Sequence, residues 1–415
     1  MRILLLSHYF PPEVNAPANR SFEHARTWVR AGHEVSVITC APNHPGGRLF
    51  PGYRNRFRQE EERDGVRVIR VWTYLTPNAG FARRIANYLV FALLGGLAAL
   101  RVQRPDVVIA TSPQFFCGLA GAVAARLRRL PFVLEVRDLW PESIVALGQL
   151  RLRAAIRALE ALETALYRSA RGVVVNSRSF IPHIAARGVP EERIELVENG
   201  IDPALFHPRP RDPKLASRFG LDEGFAVAYL GTLGMAHGLR TVLDTAERLR
   251  DEPFHFLLIG DGAEREGLER EILGRGLRQV RILGLRPREE IPRWIATADA
   301  LLVLLRDLPV FRTVIPSKIF EFLAQERPVV LAAPEGEATR LVGEAKAALV
   351  VPPEDPEALA RALRRLREDP TTAAALARAG GELVRSRFLR EDLAMRMLRF
   401  VERAARAGPG GPSAP

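Results

Sequence analysis

Cysteine and lysine are both scarce in this chain. Its two cysteines, Cys40 and Cys117, stand far apart in apolar surroundings. That excludes a disulfide framework and a thiol-based zinc site, and it points to a reducing compartment. The lysines are Lys214, Lys318 and Lys346, so 57 of the 60 basic residues are arginine. No long apolar run opens the sequence. Ile3 to Leu6 is followed by polar residues, too short a core for a secretory leader. Zinc knuckles, RNA-binding aromatic signatures and repeated basic helices are all missing, which places nucleic acid last among possible partners. The expectation is a cytoplasmic protein, peripheral on the inner face of the cytoplasmic membrane if it meets a membrane at all.

The charge that is present is uneven. The formal net charge is +12. Residues 1–200 carry 27 Lys+Arg against 17 Asp+Glu, whereas residues 201–415 are nearly balanced. A basic first half suits an anionic small substrate, an anionic membrane surface, or simply an arginine-rich surface. One segment sharpens the question. Residues 85–100 (IANYLVFALLGGLAAL) hold no charge and are flanked by Arg83, Arg84, Arg101 and Arg104. Sixteen residues are few for a bilayer span. Two readings stay open: a helix buried against a sheet, or a helix lying in a membrane surface.

At 415 residues the chain exceeds one ordinary core, so two domains are expected. Short apolar runs alternate with helical patterns. Strands are expected near 2–7, 34–39, 66–71, 107–110, 132–136 and 172–176, and the first helix over 18–31, with Gly32 at its end. The pattern restarts after Asn199-Gly200, a hinge-like turn, with strands near 225–230, 255–259, 280–283, 300–304, 328–332 and 347–351. Alternation of this kind implies an α/β fold of two Rossmann-like domains, each a parallel sheet with helices on both faces. Such domains in series face each other across a cleft at the carboxyl ends of their strands. The expected boundaries are 1–200, 201–380, a helical segment 381–407 and a disordered tail 408–415.

Residues 316–325 (PSKIFEFLAQ) carry the clearest chemistry. In a helix beginning at Pro316 or Ser317, the side chains of Lys318, Glu321 and Gln325 share one face. A helix N-terminus with a lysine in its first turn suits a phosphate group. One turn on, Glu321 suits a ribose diol. The plain alternative is a solvated face with an i,i+3 ion pair.

In order and spacing, the stretches SHYFPPE, AGHEVSVIT, RDLWPES, VENGID, YLGTLG, LIGDG, ILGLRPREEIP, PSKIFEFLA and VVPPEDPEALARAL resemble the GT-B glycosyltransferases of the group 1, or family 4, type, in the branch acting on bacterial surface polysaccharides. The resemblance implies an enzyme moving a sugar from a nucleotide diphosphate sugar to a hydroxyl of a saccharide or lipid-linked acceptor, with retention. It implies no cofactor, and with no DxD pair suitably placed, no metal. It assigns Glu321 to the donor ribose and Lys318, beside Ser317, to the diphosphate. The base meets the backbone around Leu285. The loop Phe10–Pro17, with Asn15, approaches the diphosphate and acceptor. The last helix, near 383–405, returns to the first domain.

Three departures stand out. The family's first glutamate is replaced by Thr313. Its first-loop Gly-Gly is replaced by Asn15-Ala16-Pro17, although Arg20 follows. The usual Arg and Lys after the first strand of the second domain are replaced by Thr232 and His237. Phosphate charge is then expected to be met by Lys318, Arg240, Arg312 and Arg20, or by the backbone N–H groups of Gly231 to Gly234. In the first domain Asp138 and Glu142 follow a strand end and are candidates to deprotonate the acceptor. For Asp138 a helix-capping role is equally open. His8, at the end of the first strand, is a weaker candidate. Two other functions keep the same fold: a nucleotide-sugar epimerase, and a catalytically degenerate nucleotide-sugar-binding protein.

Overall fold

The computed structural model describes residues 1–406 apart from 45, 77–80, 113, 147 and 149. The expectation for 408–415 lies outside the described residues. The chain forms two compact units. The first holds residues 1–199 together with the C-terminal stretch from Arg390, and the second holds 200–389.

The first unit runs β1 (Arg2–Leu6), α1 (Ala16–Arg30), β2 (Glu34–Cys40), β3 (Arg58–Arg63), β4 (Val66–Val71), α2 (Phe81–Arg101), β5 (Val107–Thr111), α3 (Phe115–Arg128), β6 (Phe132–Val136), α4 (Glu142–Ala146), α5 (Arg153–Ser169), β7 (Gly172–Val175), α6 (Phe180–Ala185) and β8 (Ile194–Leu196). The sheet order is β3-β4-β2-β1-β5-β6-β7-β8. All pairs are parallel except β3–β4. The central strands are apolar at nearly every position, because helices cover both faces. One face packs α2, α3 and α5 over Leu4, Leu6, Ile38 and Leu134. The other packs α1 and the C-terminal helix over Ile3, Leu5, Val37 and Val133.

The second unit runs α7 (Pro213–Arg218), β9 (Phe225–Leu230), α8 (Arg240–Arg248), β10 (Phe254–Ile259), α9 (Arg265–Gly274), β11 (Val280–Ile282), α10 (Ile291–Thr297), β12 (Ala300–Leu304), α11 (Lys318–Ala324), β13 (Val329–Ala332), α12 (Glu337–Glu344), β14 (Leu349–Val351), α13 (Pro356–Glu368) and α14 (Pro370–Arg387). Its parallel sheet has the order β11-β10-β9-β12-β13-β14. The winding reverses between β9 and β12, and the loops at their carboxyl ends diverge there. Three helices of this unit start at an Asp-Pro pair. Asp212, Asp355 and Asp369 each accept a backbone N–H in the first turn, and the proline follows at the first helical position, where no N–H is needed.

One expectation about the end of the chain needs correction. The helical segment placed at 381–407 is not one body. α14 ends at Arg387 in the second unit, and α15 (Arg390–Arg406) belongs to the first. Between them Phe388 is buried against Phe320, with ring centroids 4.6 Å apart, and its carbonyl accepts the Ile201 N–H. Anchoring this aromatic breaks the helical run that composition alone extends. α15 then lies on α1: Trp28 Nε1 donates to the Ala394 carbonyl at 2.9 Å, and Arg390 pairs with Glu23.

Candidate functional site

The second unit gathers several of the expected residues at the carboxyl ends of β9 and β12. β9 ends in Tyr229-Leu230, and the chain turns at Gly231, where φ is +139°. Side chains other than glycine rarely adopt that conformation. The place is also full: a Cβ on Gly231 would lie 2.7 Å from the Lys318 ammonium. That ammonium rests over the Tyr229 ring, 3.9 Å from its centroid. The Tyr229 hydroxyl donates to the Thr232 carbonyl at 2.7 Å, which ties the loop to the same ring. Gly231, Thr232 and Lys318 therefore share one corner of the second unit.

Lys318 Nζ is shielded from solvent and donates no hydrogen bond. A buried ammonium without acceptors is costly, and burial lowers its pKa to about 7, with Glu321 acting in the opposite direction. Burial raises the Glu321 carboxyl to about 7 against the pull of Arg288 and Lys318. Lys318 and Glu321 stand at i and i+3 of α11, so they face the same way. The expectation of a helix N-terminus as the main anion attractor needs adjustment. α11 has only seven residues and Ser317 makes no side-chain cap bond. A dipole so short adds little, and the formal charge of Lys318 dominates. Gln325 is not part of a solvated stripe either. It is the buried C-terminal cap of α11, and neither atom of its amide has a partner.

His237 closes the loop from the other side. Its Nδ1 lies 3.0 Å from the Leu304 carbonyl at the end of β12. Burial lowers its pKa to about 4, with the Lys318 charge second. The ring is therefore neutral near pH 7. With the proton on Nδ1 it presents Nε2 as an acceptor or weak ligand, not as a second cation.

Other expected residues lie elsewhere. Arg240 at the start of α8 turns to Glu271 of α9, at 2.7 Å. Arg20 is more decisively diverted. Buried in the first unit, it donates to Glu135 at 2.7 Å and to the carbonyls of Glu198 and Val197 at 2.6 and 2.8 Å. It is an internal tie, and the phosphate role considered for it does not fit this geometry. Arg312 is exposed in the turn Pro309–Thr313. Thr313 donates its hydroxyl to the Val310 carbonyl within that turn. Leu285 is exposed on the loop after β11, beside Gly284 with φ +61°.

In the first unit Asn15 caps α1, its side-chain oxygen accepting from Ala18 N–H at 2.8 Å, while its Nδ2 is shielded without a partner. Asp138 accepts from the Ser143 hydroxyl at 3.1 Å, next to the start of α4, and burial raises its pKa to about 6. Glu142 is largely exposed and pairs with His183 at 3.4 Å. His8 lines a small pocket with Tyr9, His44, Arg84 and Asn87, and its pKa is lowered to about 3 by burial. Sequence reasoning missed Tyr229 and Arg288. The only signal for Tyr229 was its place two residues before Gly231, on the same face of the strand FAVAYL.

Known proteins share this architecture. Residues 16–200 match the glycosyl transferase 4-like domain family, and residues 224–369 the glycosyl transferases group 1 family. The putative colanic acid biosynthesis glycosyl transferase WcaI of Escherichia coli (strain K12) is 28% identical over 379 residues, spanning 88% of this chain and 92% of that protein. The sucrose-phosphate synthase from Thermosynechococcus elongatus is similar in structure with a TM-score of 0.74 at 20% identity, over 97% of this chain and 98% of its own. Anabaena HepE in complex with UDP and glucose gives 0.71 at 20% identity, over 97% and 99%. Each unit thus carries a match to a named transferase domain family, and the likeness to solved structures extends through nearly the whole length. The chain belongs to the group 1 glycosyltransferases and has the GT-B fold.

Proposed function

We propose that this enzyme takes a nucleoside diphosphate sugar in its second unit and transfers the sugar, with retention, to a hydroxyl of a saccharide or lipid-linked acceptor during bacterial surface-polysaccharide assembly. The observation that carries the donor half is the Lys318 ammonium, shielded and without hydrogen-bond acceptors, one helical turn from Glu321. A diphosphate supplies the missing acceptors, and a ribose diol supplies donors for Glu321. As the sugar bond breaks, negative charge grows on the diphosphate, and the fixed Lys318 cation stabilises it; the Gly231 and Leu233 N–H groups of the adjoining loop are already given to the Ile259 and Asp261 carbonyls, so the expected backbone cradle is not complete. HepE was solved with UDP and glucose, and WcaI is named for colanic acid biosynthesis, which supports a nucleotide-sugar donor and a polysaccharide context.

The acceptor half needs a base for the attacking hydroxyl. Asp138, with its pKa raised to about 6, is the better placed base of the two carboxylates, since Glu142 is exposed and paired with His183. A lipid-linked acceptor would hold the enzyme at the inner membrane face. Calorimetric titration with UDP and with GDP tests the donor site: wild type should bind one of them, and Lys318→Gln and Glu321→Ala should each weaken binding at least about tenfold. Unchanged affinity in both variants sinks the assignment. Incubation with donor and membrane extract separates the activities. Acceptor-dependent release of nucleoside diphosphate supports transfer, donor interconversion without acceptor supports an epimerase, and binding without turnover supports a degenerate protein.

A further inference from the structure

We propose that the outer face of the α2–α3–α5 helix layer is a docking surface for an anionic lipid bilayer, with α2 lying in the membrane plane. This adds a surface and a lipid charge to the membrane-held acceptor of the proposed function, and its evidence is separate from the donor site.

The two readings of residues 85–100 are both partly realised. One side of α2 is core: Phe91, Gly95 and Ala99 are buried against the sheet. A Cβ on Gly95 would stand 3.6 Å from Ile38, and one on Gly96 would stand 3.7 Å from Ala120 of α3, so this glycine pair lets the helix settle closely on both. The opposite side is not covered. Leu89, Leu93, Leu97 and Leu100 recur at intervals of four, four and three, which forms one stripe on a helix. All four are exposed, Leu93 by 64%. On neighbouring α3, Val123 and Leu127 are exposed as well, Leu127 by 65%. Contiguous exposed leucines on two packed helices are unusual for a soluble surface and mark a contact site.

Charge selects the occupant. Neither α2 nor α3 contains an acidic residue, and α5 contributes Glu160 and the buried Glu163, which pairs with Arg187. The same three helices and their ends carry exposed Arg83, Arg101, Arg126, Arg129, Arg153 and Arg157. Apolar side chains rimmed by unopposed arginines match the hydrocarbon boundary and the anionic headgroups of a bilayer. They do not match a second copy of this chain, which would bring like charges together across a two-fold contact. α2 is also long and apolar enough to cross a membrane. Crossing would strip Phe91, Gly95 and Ala99 from the first unit's core, so the buried face holds the helix in plane. Its N-terminal end leads to the pocket lined by His8, His44, Arg84 and Asn87 at the carboxyl ends of β1 and β2, so that pocket lies beside the lipid-facing patch.

The test is co-sedimentation of the full chain with phosphatidylcholine vesicles, with and without phosphatidylglycerol, in the absence of donor and acceptor. The wild type should sediment only with the anionic vesicles, and less as salt is added. Leu93→Ser and Leu97→Ser should each lower partitioning about tenfold, since each removes a buried leucine from the lipid contact. Arg101→Gln with Arg126→Gln should weaken anionic binding and flatten its salt dependence. Binding of UDP or GDP, measured on the same preparations, shows that the variants are folded. Wild type left in the supernatant, serine variants that bind like wild type, or a dimer in sedimentation velocity that Leu93→Ser dissolves would each overturn the proposal. Vesicle-bound protein that resists alkaline extraction would overturn the in-plane geometry. Vesicle binding without nucleotide binding would leave this surface standing and remove the donor-site reading instead.

Discussion

The Lys318 ammonium lies over the Tyr229 ring, 3.9 Å from its centroid, and beside the α-carbon of Gly231. An aromatic face gives a desolvated cation partial compensation, about 1–2 kcal/mol, without occupying its hydrogen-bonding directions. The cation is thus held in place while its three donors stay available to an anion.

Gly231→Ala tests that packing. The new Cβ would sit 2.7 Å from Nζ and would strain a backbone at φ +139°. The expected cost is about 1–3 kcal/mol of stability, together with a loss of nucleoside diphosphate affinity as Lys318 is pushed off the ring. Calorimetric melting and titration read the two effects. A variant that melts lower but binds normally would show that the glycine serves the fold and not the position of the lysine.

Lys318→Met should separate stability from binding. The pKa of Lys318 is lowered from 10.5 to about 7 by burial. The unfolded chain therefore binds more protons than the folded one between about pH 7 and pH 10.5, and the penalty of burying the charge is complete below that window and vanishes above it. Removing the charge should stabilise the protein by about 1–3 kcal/mol at pH 7, with the advantage shrinking as pH rises through the window. Nucleotide binding should be lost. A destabilised Lys318→Met would mean that the cation is a structural partner and not a ligand-binding group.

Most of the fold was legible because buried parallel strands are written as apolar runs, and Val107–Thr111 or Ala300–Leu304 admit few other readings. β3 was not, because its sequence RQEEER has no apolar face. It holds the sheet edge through backbone pairing and through Glu60–Arg67 and Glu61–Arg70 ion pairs with β4. Lys318 and Glu321 were legible from helical spacing alone. Tyr229 was not, since an aromatic in a buried strand reads as core until the ammonium above it is seen. Arg20 misled for a related reason. Its position at the start of the helix after the first loop suggests a phosphate ligand, and nothing local reveals that its partner is Glu135, 115 residues away.

Nucleotide affinity should depend on pH on both sides of neutrality. With Lys318 and Glu321 both placed at about 7 by burial, raising pH above 7 discharges the cation and lowering it protonates the carboxyl. A bound diphosphate favours the charged lysine, so binding above pH 7 should take up a proton, and affinity should fall by up to about tenfold per pH unit. Titration in buffers of different ionisation enthalpy measures the uptake. Lys318→Gln should remove the alkaline limb and Glu321→Gln the acidic one. Affinity that is flat from pH 6 to pH 9 would contradict the assignment of both residues.

Arg20 and Glu135 should govern the first unit without touching nucleotide binding. The pair is buried at 2.7 Å, with side chains only 4% exposed. Burial alone would raise the Glu135 carboxyl, yet the guanidiniums of Arg20 and Arg137 override it and hold the pKa at about 2. Arg20→Leu leaves that carboxylate buried with one cation fewer and frees the carbonyls of Val197 and Glu198, an expected loss of about 3–5 kcal/mol. The double variant Arg20→Leu, Glu135→Leu should recover only part of it, because the carboxylate leaves with its partner while the Arg137 guanidinium loses its counter-charge. UDP or GDP affinity should stay within about twofold of wild type in every variant that remains folded. If Arg20→Leu instead keeps its melting temperature and loses affinity, the arginine is a phosphate ligand after all, and the tie to Glu135 is incidental.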